Sequence, residues 1–241
     1  MQFEIYATET IQVSQQNVQK VFGDMEALSV SATSFTMHTD TTWPFVTLPD
    51  FEARGSVARK TSKSLIVGFL PLVSDDDRPQ WEEYAQGNQD WIDGAWDDSD
   101  STFTNQIPQE IYAHLTVEDR RVLAEQECSA DSQRLLATSV ATAEPTGSGP
   151  YSPVWQLSPP PLRNDTSIIN YNLFEKPVFQ KGVDFINHTR KAVFLDVCHQ
   201  SKWFGSGAPN AGDDQQTVVV QPVFADFSED APIVAHFVAV V

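Results

Sequence analysis

The residues best suited to chemistry are carboxylates, and they come in runs. Asp75-Asp76-Asp77 and Asp97-Asp98-Ser99-Asp100 each set acids side by side. Two carboxylates hydrolyse a glycoside when a cleft holds them at a fixed separation. Neither run has an apolar flank that would raise a carboxyl pKa, so both read as solvated turns. The second also lacks the ligand spacing and the glycine of an EF-hand loop. A secreted, carboxylate-dependent hydrolase is the alternative reading, not the leading one.

The histidines are His38, His114, His188, His199 and His236, and none forms an HxxxH or HExxH pair. Cys198 directly precedes His199, a poor geometry for joint ligation, so no zinc site is expected. There is no GxSxG and no GxxxxGK followed by Ser or Thr, and Gly205-Ser206-Gly207 lacks the strand–helix setting of a phosphate loop. No catalytic residue, cofactor or metal is expected in this chain.

Aromatic and amide side chains are denser. A small aromatic-lined pocket with a few amides is the usual form of a ligand site. Phe69, Trp81, Tyr151, Trp155, Gln156, Asn170 and Asn172 are the candidates. The competing reading is that the same residues pack a core and satisfy strand edges, as in a structural or adhesive module without a pocket.

Composition limits the classes. The 241 residues are 41% hydrophobic and 11% aromatic, which is globular rather than disordered. The formal charge of −18 repels phosphate backbones, so nucleic acid is not an expected partner. Cys128 and Cys198 allow one disulfide or two free thiols, not a cysteine scaffold. Sequons at Asn164 and Asn187 permit glycosylation and an exterior location. No run reaches the ~18–20 apolar residues of a membrane span, and MQFEIYATET is not a signal peptide. The chain closes on bare strand, Pro232–Val241, which suggests a longer parent.

The elements that must position the candidates follow from periodicity. Val18, Val21, Phe22, Met25, Leu28, Ala32 and Phe35 form one helical stripe, so residues 1–42 read as a single long helix. At 1.5 Å per residue it spans about 50–55 Å, longer than most globular helices. Pro44 stops it. Asp50–Ser64 suits a helix capped by Asp50, Leu65–Val73 a buried strand, and Arg78–Trp91 a helix. Gly94–Gln106 and Glu144–Pro150 read as loops flanking helical stretches within Thr116–Thr142. Tyr151–Leu157 and Ser167–Leu173 read as hairpin-like paired strands about the proline-rich Ser158–Thr166 turn. Lys176–Val193 reads as a helix and Gly205–Gln216 as a loop, before the β-rich runs Thr217–Phe227 and Pro232–Val241. The class is α+β with mostly antiparallel sheet.

WPFVTLPDFEARG from Trp43, Arg78 with Trp81-Glu82, YSPVWQ from Tyr151 and IINYNLFEKPVF from Ile168 together resemble the extracellular CHASE-like region of receptor-type adenylate or guanylate cyclases of diatoms. The likeness runs from about Asn17 to Val241. It implies a stalk helix (1–42), an outer PAS-like module (43–180) and an inner PAS-like module (181–241) truncated at its end. It also implies membrane spans and a cyclase domain in the parent, a place on the outer face of the plasma membrane, and a homodimer through the stalk. An unknown small molecule would bind the outer module and signal through the stalk, with no catalysis in this chain.

Overall fold

Helix α1 spans Gln2–Met37, shorter than the expected 1–42. Its stripe is real: Val21, Met25, Leu28 and Ala32 are buried, and Phe22 and Phe35 are partly so. Val18 lies on the same stripe but is 40% exposed. The structure, a computed structural model, describes residues 2–95, 107–112, 149–161, 166–197 and 216–241.

Among the described residues five strands form one antiparallel sheet: β1 (Ile66–Pro71), β2 (Gln156–Ser158), β3 (Val193–Val197), β4 (Gln216–Phe224) and β5 (Ile233–Val240). Their order is β2-β1-β5-β4-β3. β1 is buried at every position, as an interior strand covered on both faces must be. Ile66 pairs with Val240 and Pro71 with Ala235, so β1 lies directly against β5. That pairing crosses the expected boundary between residues 180 and 181. Among the described residues the two spans share one sheet and one hydrophobic core.

The period-2 alternation of strands decides which helices meet which face. On one face Phe194 meets Phe22 of α1, with ring centroids 4.6 Å apart. On that face, too, Phe237 stacks on Phe51 at 6.3 Å. Phe51 opens α2 (Phe51–Ser62), which buries Phe51, Gly55, Ala58 and Ser62 at helical spacing. The other face is covered by α5 (Pro177–Thr189), through Phe179, Val183 and Ile186.

β4 shows how α1 is fixed to the sheet. β3 stops opposite Val220. Beyond that point the α1 hydroxyls take over: Ser29 Oγ donates to the Pro222 carbonyl at 2.8 Å and Thr33 Oγ1 to the Phe224 carbonyl at 2.8 Å. Proline suits this stretch, because an edge without a partner strand needs no N–H.

Several local expectations need correction. Asp50 does not cap α2 with its side chain; it sits at φ 51°, which aspartate tolerates, and its carbonyl accepts from Arg54 N at 3.1 Å. The single helix expected over Arg78–Trp91 is two, α3 (Arg78–Gly87) and α4 (Asp90–Gly94), broken at Asn88. Ser167–Leu173 is not a strand. Residues 167–170 turn, Asn170 has φ 62°, and a single 3-10 turn follows at Leu173–Glu175. The partner of β2 is therefore β1, and Pro153 and Asn172 make only an isolated bridge. Val193 belongs to β3 rather than to the preceding helix. Cys128, Cys198, Asn164, the run Asp97–Asp100, and the expectations for Thr116–Thr142 and Gly205–Gln216 (save Gln216, which opens β4) lie outside the described residues.

Candidate functional site

The seven candidates are all buried, from Phe69, Trp81, Trp155, Gln156 and Asn170 at 0% exposed to Tyr151 at 8%. The fold brings them together in two groups, one on each side of β1 and β2. Phe69 lies with Phe237 at 5.2 Å and Trp43 at 6.2 Å, on the α2 side. On the same side Gln156 reaches the chain ahead of α2. Its Oε1 accepts from Leu48 N at 2.8 Å and its Nε2 donates to Leu48 O at 3.0 Å. A side-chain amide thus replaces one rung of a ladder, satisfying two buried backbone groups at once.

The second group gathers around Trp155. Trp81 and Trp91 meet it edge-on at 5.4 and 5.9 Å, and Tyr84 lies tilted to it at 6.1 Å. Aromatic pairs of this geometry add about 0.5–1.5 kcal/mol each beyond burial. α3 and α4 present these rings because Trp81, Tyr84 and Trp91 fall on their inner faces. Trp155 Nε1 donates to Thr47 Oγ1 at 3.1 Å, and Thr47 Oγ1 and Tyr84 OH share a hydrogen bond at 2.8 Å. Burial holds the Tyr84 hydroxyl above its ordinary pKa, so it stays neutral. Asn170 Oδ1 accepts from Trp81 Nε1 at 3.3 Å, and its Nδ2 donates to Pro108 O at 2.9 Å. Asn172 Oδ1 takes Ser152 N at 2.9 Å and Phe174 N at 3.2 Å. Trp91 Nε1 differs: it is a buried donor without a hydrogen-bond partner among the described residues.

A polar knot borders this cluster. Arg78 Nε donates to Glu82 Oε1 at 2.8 Å and its Nη2 to Ile111 O at 2.9 Å. The guanidinium also lies 4.9 Å from the Tyr151 ring centroid. Tyr151 OH donates to Asp75 Oδ1 at 2.8 Å, and Gly149 N–H donates to the same oxygen at 2.8 Å. The Gly149 N–H, then the Tyr151 hydroxyl, hold the Asp75 carboxyl below its ordinary pKa. An acid catalyst needs the opposite shift. Asp75 is thus an acceptor that ties the residue 149–151 segment to the turn leading into α3, the role sequence spacing alone could not reveal.

The amides and indoles of the candidate set are mostly ties, which is the structural half of the expectation. Asn187 is exposed near the end of α5. Among the described residues no group of three or more His, Cys, Asp or Glu is placed to hold a metal ion. Among them, too, no helix is long and apolar enough to cross a membrane, α1 included. A shallow groove runs between α1 and α2, away from the Trp155 cluster, lined by Ala27, Val30, Ser31, Ser34, Phe35 and Arg54. No protein-family model matches the chain, and no curated protein matches it in sequence.

Proposed function

We propose that this chain is the ligand-sensing part of a membrane receptor, taking a small molecule beside the Trp81–Trp155 cluster and reporting it through α1. The observation that carries the reading is the attachment of α1 to the sheet. Val21, Met25, Leu28 and Ala32 pack it down, and Ser29 and Thr33 bond the carbonyls of β4. A rearrangement of β4 or β5 is then passed to a helix of 36 residues. One antiparallel sheet backed by helices supports a single PAS-like module. The ligand takes the unpaired Trp91 Nε1–H, and its differential affinity for two arrangements shifts their populations. Two chains pair along α1, on the outer face of the plasma membrane, and the parent's cytoplasmic end makes a cyclic nucleotide.

The test is a thermal-shift screen of the purified chain against nucleotides, purines, amino acids and small carboxylates. At least one compound raises the melting temperature of the native chain, is recovered unchanged, and loses most of its effect with Trp91→Phe. No stabilising compound, or conversion of one by the chain alone, would overturn the reading. Sedimentation of the chain reads the pairing separately.

A further inference from the structure

His236 is the titratable side chain that is fully buried with both of its polar atoms unanswered among the described residues. It sits on β5, the middle strand, opposite Leu70 of β1 and Pro222 of β4. It is 0% exposed, and among the described residues neither ring nitrogen has a hydrogen-bond partner. Phe179 of α5 lies edge-on over it at 5.9 Å. The buried amides Gln156, Asn170 and Asn172 are all paired, so this imidazole stands apart from them.

Among the described residues, no charged or hydrogen-bonding group pairs with the ring. β1 and β4 contribute Leu70 and Pro222, and α5 contributes Phe179. The charged groups of α5 and its caps are Lys176 at the N-cap, whose ammonium lies 5.6 Å from the Tyr171 ring centroid, the exposed Lys181, Asp184 and His188, and Arg190 at the C-cap, which donates to the Ala231 carbonyl and lies over the Phe224 ring. Glu175 precedes α5 in the 3-10 turn. No described hydrogen bond or ion pair joins any of these to His236. A proton on the ring would be an uncompensated buried charge.

We propose that His236 is an acid-operated latch, whose protonation lifts α5 away from the middle of the sheet. The proton is the effector, and the latch does not depend on the small-molecule reading. Burial drops the closed-state pKa to about 3. Once water reaches the ring, it titrates near 6.5. The closed form is therefore favoured above ~6.5 and loses ground as pH falls from there toward ~3. At pH 5 the opening equilibrium of the latch rises about 30-fold relative to pH 8.

The experiment is amide hydrogen exchange on the whole chain at pH 5 and pH 8, corrected for intrinsic exchange. Protection in α5 and β5 falls about 30-fold more at pH 5 in the native chain than in His236→Phe or His236→Leu. An equal pH response in the native chain and both variants overturns the latch. If both variants fail to fold, the His236 ring resonance in the folded native chain decides. A ring still neutral at pH 5 supports the latch, and one titrating between pH 6 and 7 without loss of structure overturns it.

Discussion

Gln156 and Leu48 form a two-point pair, amide to backbone, at 2.8 and 3.0 Å. The pair joins β2 to the segment leading into α2, and both partners are buried. Gln156→Met keeps the bulk but leaves the Leu48 N–H and C=O without partners. We expect a loss of about 3 kcal/mol, since each unsatisfied buried group costs ~1–3 kcal/mol. Urea unfolding reads it as a lower midpoint at unchanged slope.

Gly55 is needed for contact, not for flexibility. A Cβ there would lie 2.4 Å from Ser158 Cβ, which cannot swing aside. Gly55→Ala therefore costs about 1–3 kcal/mol despite the better helix propensity of alanine. At Gly182 the nearest atom is Leu195 Cδ2 at 2.7 Å, the far end of a flexible side chain. Gly182→Ala should cost less. The ordering is read from melting temperatures, and Ser158→Gly should recover part of the Gly55→Ala loss.

Ser29 and Thr33 answer carbonyls that β3 does not reach. Ser29→Ala and Thr33→Val should each cost about 1 kcal/mol. The double variant should raise hydrogen exchange in α1 more than in β1, because β1 keeps its partners. Equal loosening of the two elements would show that the hydroxyls do not fasten α1.

Asp75 gives a prediction about acid. Its folded-state pKa is depressed, chiefly by the Gly149 N–H and then by Tyr151. Such a group contributes stability above its unfolded pKa, and that contribution fades as pH falls through the folded value. Asp75→Asn should flatten the acid limb of a melting-temperature profile below pH 4. An unchanged limb would mean that the bonds to Gly149 and Tyr151 do not persist in solution.

Some of this architecture was legible in the sequence because one side chain pattern permits one element. The α1 stripe is such a case, and the Val-rich runs of β4 and β5 are another. Val18 escaped because burial depends on where the sheet ends, which no periodicity records. β3 was hidden by its shortness and by the helix running up to it. Asn170 read as a strand residue, but its amide bonds Trp81 and Pro108 from a left-handed backbone, a tertiary demand stronger than β propensity. The candidate residues were legible as a buried aromatic and amide set. Their partners, Leu48, Thr47 and Pro108, were not, because those are backbone groups or small residues brought in from a distance. His236 was seen only as one of five histidines outside any ligand pattern.

The pairing of β1 with β5 also orders events during synthesis. β1 leaves the ribosome early and must wait for most of the remaining chain before its central neighbour exists. At about 5–20 residues per second that wait is on the order of tens of seconds. Through it, a fully apolar strand has an open flank in a nascent chain, the condition under which strands find wrong partners. The domain thus closes late and in one step, and a cell making it has reason to shield its first half until the second arrives.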